Sequence, residues 1–222
     1  IMTSNKTVFF IIGTLLIILG FFMLIPYGVQ IFYKENSHSF LSSSFITILI
    51  GTMFVLANLQ EKYQLNLKQT FLFSTFTWIA VALFGSIPFV LSGLDFSFSD
   101  SFFESMSGIT TTGSTVITDL DGSPKSILLW RAIMQWLGGV GIIVMAITVL
   151  PLLKVGGMQL FKIESSDKPE KILPRASQVA FIIISTYLIL TLFCAFFYKI
   201  LGMDIFDSIA HAMTTIATGG FS

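Results

Sequence analysis

Two short polar segments carry the residue types best suited to chemistry in this sequence. The first segment is Thr110-Thr111-Thr112-Gly113, and the second segment is Ala217-Thr218-Gly219-Gly220. Glycine adopts positive φ without steric cost, so the successive carbonyls of such a segment can turn towards one axis. Threonine is stiff at χ1, and its hydroxyl can hydrogen-bond nearby backbone. Carbonyls arranged in this way can replace the hydration shell of a cation. Because neither segment carries a fixed charge, the bound cation could also dissociate.

Few other kinds of chemistry fit the sequence. It contains no His-Glu-x-x-His zinc motif, no Gly-x-Ser-x-Gly nucleophile turn and no pair of carboxylates within an apolar stretch of spanning length. Cys194 is the single cysteine, and His38 and His211 are far apart, so neither a disulfide nor a zinc site is expected. The formal net charge of zero argues against nucleic acid as a partner. We therefore expect neither an enzyme nor a nucleic-acid-binding protein.

The composition indicates a membrane protein. Hydrophobic residues make up 54% and charged residues 11% of the chain, and its mean hydropathy is +0.87. Since soluble domains contain roughly 25% charged residues, this chain belongs in lipid. Apolar stretches long enough to span a bilayer are residues 8–32, 40–59, 71–91, 126–153 and 177–200. The first is too long for a cleaved signal, whose apolar region is about 7–15 residues, and is interpreted as a retained helix.

Two further apolar stretches, Phe98–Ile109 and Ile205–Ile216, are too short to span. A helix of this length extends about 18 Å, and such stretches are typically re-entrant or interfacial. Each directly precedes one of the Thr/Gly segments, so the unit of span, short helix and polar segment occurs twice. Irregular backbone at membrane depth must line water or be buried in protein. The repeated unit favours an ion pore, although either segment alone could be a polar hairpin.

Charge predicts the orientation of the chain. Five cations lie between residues 153 and 177, whereas residues 94–123 carry five acids and no Lys or Arg. Basic loops stay in the cytoplasm, so the N-terminus is expected inside and the acids outside. The acids would raise the local cation concentration, but a solvated loop is the simpler interpretation of any single one.

Charges and glycines at span positions have structural interpretations. Arg131 and Lys199 lie near helix ends, where snorkelling is the simpler role, with shaping of the outer mouth a lesser alternative for Arg131. Gly138, Gly139 and Gly141 favour close helix contact over a hinge.

Several motifs resemble the Trk-type potassium uptake subunits of the Trk/Ktr/HKT superfamily. They are FFESMSGITTTG at 102–113, WR at 130–131, QWLGGVGI at 135–142, LP at 150–151, VGGMQL at 155–160 and IATGGFS at 216–222. The resemblance implies an all-α polytopic membrane protein of membrane–pore-helix–membrane repeats, with four repeats around one K⁺ pore. This chain would supply the first repeat and most of the second, so we expect it to be a fragment. The expected divisions are two extra helices in 1–66, the first repeat in 67–153, a cytoplasmic loop in 154–176 and the truncated second repeat in 177–222.

The resemblance also implies site residues and partners. The K⁺-contacting carbonyls would come from Thr110, Thr111, Thr112, Ala217, Thr218 and Gly219, with Gly113 as the first filter glycine. Either Gly219 or Gly220 could be its counterpart, and a gapless pairing favours Gly220. K⁺ is the transported ion, and no covalent cofactor is expected. The implied setting is the bacterial inner membrane, in a homodimer with a cytoplasmic nucleotide-binding (NAD/ATP) regulatory subunit. The alternative function is secondary transport of another cation or solute. It is disfavoured because the sequence shows no buried charge available to bind an ionised substrate.

Overall fold

A computed structural model describes residues 5–35, 37–60, 67–149 and 176–222, and every regular element in those ranges is a helix. In chain order the helices are α1 Lys6–Phe32, α2 Ser39–Ala57, α3 Leu67–Gly85, α4 Ile87–Val90, α5 Phe98–Ile109, α6 Lys125–Val149, α7 Ala176–Ile200 and α8 Ile205–Ile216. Five stretches are long and apolar enough to cross a membrane: Lys6–Phe32, Ser39–Ala57, Lys68–Val90, Lys125–Ile143 and Ala180–Ile200. The five predicted spans are therefore confirmed as helical segments of spanning length. The expected loop at 154–176 lies outside the described residues, apart from Ala176.

The third predicted span is not one continuous helix. α3 ends at Gly85 and α4 begins at Ile87, followed at once by Pro88. Proline lacks an N–H and cannot continue a helical ladder, and the amide of Phe89 donates to Ser86 O at 3.0 Å. The carbonyl of Gly85 instead accepts from Trp130 Nε1 on α6 at 2.9 Å. The break is thus repaired by a neighbouring helix, as is common within membranes.

α1 and α2 form an antiparallel pair held by close backbone contact. A Cβ added at Gly13 would lie 2.7 Å from Gly51 O, so the helices can approach this closely only because both positions are small. The pair is joined further by Ser44 Oγ, which donates to Gly20 O at 2.8 Å. The pair packs beside the rest of the molecule through α1, which contacts α3 and α6, and through α2, which contacts α4.

The two short helices have the bounds expected from the sequence. α5 begins after Ser97, whose hydroxyl accepts from Asp100 N at 3.1 Å while the Asp100 carboxylate accepts from Ser97 N at 3.2 Å. α8 begins after Asp204, whose carboxylate accepts from Phe206 N at 3.3 Å. Such caps satisfy amides that a helix leaves unpaired at its start. Both short helices pack against α6, which therefore lies beside the two Thr/Gly segments that follow them.

Candidate cation filter

The two Thr/Gly segments have the same unusual backbone conformation. Thr111 and Gly113 have φ values of 57° and 79°, and Thr218 and Gly220 have values of 57° and 61°. Positive φ is uncommon outside glycine, and for a β-branched threonine it costs on the order of 1–3 kcal/mol unless the surroundings hold it. The coincidence of two strained threonines at matching positions indicates that this turn is imposed by each segment's hydrogen bonds.

Those hydrogen bonds repeat from one segment to the other. The amides of Thr112 and Gly113 both donate to Ser107 O, at 3.0 and 3.4 Å. The amides of Gly219 and Gly220 both donate to Thr214 O, at 3.2 and 3.4 Å. Gly220, rather than Gly219, therefore has both the conformation and the bonding partner that correspond to those of Gly113.

The carbonyls of the segments are left available. No hydrogen bond within the described ranges ends on a carbonyl oxygen of residues 110–113 or 217–220. The amides of both segments donate to carbonyls of the preceding helix, so the main chain of each segment presents free acceptors but no free donors. The C-terminal ends of α5 and α8 meet these segments, and a helix C-terminus carries about −0.5 of an elementary charge. Both features favour a bound cation.

The structure brings the two segments into direct contact. A Cβ added at Gly113 would fall 2.0 Å from Gly219 O, so the backbone of the first segment touches that of the second. The side chain of Gln135 on α6 lies beside them: its Oε1 accepts from Phe221 N at 3.1 Å. A Cβ added at Gly219 would lie 2.0 Å from Gln135 Nε2. Thr110, Thr111, Gly113 and Gly219 are partly buried, Ala217 is buried, and Thr112, Thr218 and Gly220 are exposed.

A buried ion pair lies behind the first segment, where the sequence indicated none. Arg131 Nε donates to Glu104 Oε1 at 2.6 Å, and the two side chains are 2% and 0% exposed. The Glu104 carboxylate also accepts from Thr115 Oγ1 at 2.8 Å and from Val116 N at 3.1 Å. The expectation that Arg131 snorkels is therefore wrong, because its charge is neutralised inside the protein. The solvated-loop interpretation is likewise wrong for Glu104.

Three of the other acids of this region behave as expected. Asp95, Asp119 and Asp121 are exposed, and the Asp119 carboxylate accepts from Gly122 N at 3.0 Å within its own turn. In the described part of the chain, no three His, Cys, Asp or Glu side chains group closely enough to hold a metal ion.

Two glycines of α6 allow it to approach both segments. A Cβ at Gly138 would lie 1.9 Å from Ile109 O at the end of α5, and one at Gly139 would lie 2.4 Å from Tyr187 Oη and 3.3 Å from Ala217 Cα. The predicted role in close packing is confirmed for these two positions. Among described residues, Gly141 has no such neighbour within 4 Å.

Comparison with known proteins gives the family. The sequence model of the family described as TrkH, cation transport protein, matches residues 36–222. The chain is 41% identical over 213 residues to the Trk system potassium uptake protein TrkI of Halomonas elongata, covering 96% of this chain and 43% of that protein. It is 40% identical over 216 residues to the Trk system potassium uptake protein TrkH of Escherichia coli K12, covering 96% and 45%.

A solved structure has the same fold. The potassium transporter TrkH from Vibrio parahaemolyticus matches with a TM-score of 0.88 and 36% identity, over 99% of this chain and 44% of that one. The chain spans less than half the length of each of these relatives. The resemblance found in its motifs is confirmed, as is an all-α polytopic membrane fold. Because the family match extends over most of its length, this chain belongs to the TrkH family of cation transport proteins.

Proposed function

We propose that this chain forms part of a potassium uptake pathway across the bacterial inner membrane, with its two Thr/Gly segments lining an ion filter. The observation that carries the proposal is the pair of touching segments with matching left-handed turns, whose carbonyls accept no hydrogen bond from the described residues. Main-chain oxygens that are free of hydrogen bonds can replace the hydration shell of K⁺ where they face a common axis. The relatives' names as potassium uptake proteins support K⁺ as the ion.

In the proposed filter, main-chain oxygens make the contacts. They come from Thr110, Thr111, Thr112, Ala217, Thr218 and Gly219, and Thr111, Thr112, Thr218 and Gly219 are the principal K⁺ ligands. Gly113 and Gly220 supply the left-handed turns that close each segment. K⁺ is the cargo of such a site rather than a resident cofactor, and it is held without a fixed charge in either segment.

The proposed assembly contains four such segments, of which this chain carries two. The divisions are two leading helices in 1–66, one complete repeat in 67–153, a cytoplasmic loop in 154–176 and the start of a second repeat in 177–222. The N-terminus would be cytoplasmic and both segments would face the periplasm. The remaining partners are a second copy of the protein, membrane lipid and a cytoplasmic subunit that binds NAD or ATP.

Secondary transport of an ionised organic solute is less well supported. Its argument would need a buried charge free to meet the solute, whereas Glu104 and Arg131 neutralise each other and are both nearly inaccessible.

The test is K⁺-dependent growth of an uptake-deficient host that carries the full-length protein. The change Gly113→Asp puts a carboxylate into the proposed filter, and we expect it to abolish growth at low K⁺. The control is Gly202→Asp, since Gly202 also has positive φ, at 103°, but no described neighbour within 4 Å. Normal uptake by Gly113→Asp would refute the filter, and failure of the unaltered protein to restore growth would refute K⁺ uptake itself.

A further inference from the structure

We infer that Arg131 and Gln135 of α6 are positioning residues that tie the two segments together, so that ion discrimination by each segment depends on the other. The inference rests on the proposed function and names side chains outside the filter that set its selectivity. Arg131 and Gln135 are four residues apart on one helix and therefore lie on the same face, one turn apart. That face is the wall shared by both segments.

On the side of the first segment, Arg131 acts through Glu104, which holds the backbone that follows Gly113. Glu104 accepts from Thr115 Oγ1 and Val116 N, just beyond Gly113, and Arg131 fixes the Glu104 carboxylate from the other side. Charge-assisted hydrogen bonds are shorter and stronger than neutral ones. The Glu104 carboxylate therefore links three parts of the structure: α5, which carries it, the backbone at Thr115 and Val116, and Arg131 on α6.

On the side of the second segment, Arg131 and Gln135 both contact Phe221, the residue that follows Gly220. The guanidinium carbon of Arg131 lies 3.8 Å from the centre of the Phe221 ring, which is 3% exposed. The amide of Phe221 donates to Gln135 Oε1 at 3.1 Å. One arginine thus contacts the support of the first segment and the first residue after the second segment. Since the segments also touch at Gly113 and Gly219, movement of one would displace the other.

This coupling bears on selectivity because carbonyl ligands discriminate between cations through their number and spacing. A loosened segment could close around the smaller Na⁺ ion. Loss of the contacts made by Arg131 and Gln135 should therefore change the ratio of K⁺ to Na⁺ transport more than it changes the amount of folded protein.

The first experiment compares two buried glutamines in the full-length protein reconstituted in liposomes. Gln135→Met removes the acceptor of Phe221 N with little change of volume. Gln30→Met removes another buried amide, one that donates to Ser39 Oγ on α2 at 3.1 Å and has no hydrogen bond to either segment among the described residues. We expect Gln135→Met to lower the K⁺/Na⁺ flux ratio by about tenfold, which corresponds to about 1.4 kcal/mol, and Gln30→Met to leave it unchanged. An unchanged ratio in Gln135→Met, or an equal fall in both variants, would overturn the inference.

The ion pair needs a different design, because removing one partner leaves an uncompensated buried charge and is strongly destabilising. Arg131→Lys keeps the charge but loses the planar fork, and we expect it to lower the flux ratio while the protein still folds. The paired change Glu104→Gln with Arg131→Met removes both charges and should do the same. If the Arg131 or Glu104 variants do not fold, Phe221→Leu provides a separate test, because it removes the ring that Arg131 contacts and should also lower the flux ratio. A wild-type ratio in every folded variant would refute the role of the pair.

Coupling itself is measured by a double-mutant cycle across the two segments. Thr115→Val removes a donor to Glu104 on the first side, and Phe221→Leu removes the ring contact on the second. Their effects on the flux ratio should be non-additive when Arg131 is present, and this non-additivity should fall when Glu104→Gln and Arg131→Met are combined with them, because only the direct contact between the segments remains. Equal non-additivity in both backgrounds would assign the coupling to that contact and overturn the role of Arg131. Additive effects in both backgrounds would show that the segments are held independently. Absence of K⁺ flux in the unaltered protein would instead count against the proposed function.

Discussion

The contact between the two segments makes Gly113→Ala the most informative small change. Gly93 provides a matched control, because both glycines have φ of 79° but only Gly113 has a described neighbour within 4 Å of an added Cβ. Both alanines incur the left-handed penalty of about 1–2 kcal/mol. At position 113 the new methyl would also lie 2.0 Å from Gly219 O, whereas ordinary contact begins at 3.4 Å. The backbone of one segment must therefore move by about 1.4 Å to restore ordinary contact, and a misplacement of about 1 Å can already cost roughly a hundredfold in function.

The assay is initial-rate Rb⁺ or K⁺ uptake by the full-length variants, normalised to folded protein in the membrane. We expect Gly113→Ala to retain about 1% of the uptake, and Gly93→Ala to lose about 1–2 kcal/mol of stability with nearly normal uptake. Because a methyl adds no charge or polarity, the loss would report backbone geometry alone. The reasoning fails if Gly113→Ala transports like the unaltered protein, or if Gly93→Ala is equally inactive.

Three further changes test the packing around the segments, each by thermal unfolding in detergent. Gly138→Ala should destabilise by about 1–3 kcal/mol through overpacking, whereas Gly141→Ala should be neutral or slightly stabilising; equal effects would contradict the packing seen for α6. Trp130→Phe leaves the carbonyl of Gly85 without its donor and should cost about 1–3 kcal/mol, and no loss would show that this carbonyl finds another partner. Ser97→Ala removes the cap of α5 and should cost about 1 kcal/mol, with Ser97→Asp as the rescue that a capping role requires.

The fold was largely readable from the sequence because apolar length is a strong signal. The bounds of α5 and α8 agree with expectation since each helix starts at a polar cap and ends where Thr and Gly take over. The break before Pro88 was not anticipated, although the proline was visible within an apolar stretch. The break is stabilised by Trp130, whose indole N–H donates to the carbonyl of Gly85, a contact between residues 45 positions apart that the sequence does not indicate.

The candidate site was readable only in part. The segments themselves could be located, because stiff threonines followed by glycine are unusual after a short apolar helix. The side chains that hold the segments in place could not be predicted. Glu104, Arg131 and Phe221 are far apart in the chain, and nothing in their spacing indicates that they are in contact. One signal was available: an acid within a short apolar helix and a lone cation in a neighbouring span each need a partner in lipid.

The repeated hydrogen bonds of the two segments have a consequence for how such a site can be duplicated. The acceptor residue is Ser107 in one copy and Thr214 in the other, and the third residue is Thr112 in one and Gly219 in the other, yet the same amides reach back to the same turn. What must be inherited is a pattern of permitted φ angles and main-chain donors, not particular side chains. Copies built in this way can diverge widely in composition while each keeps its oxygens in place.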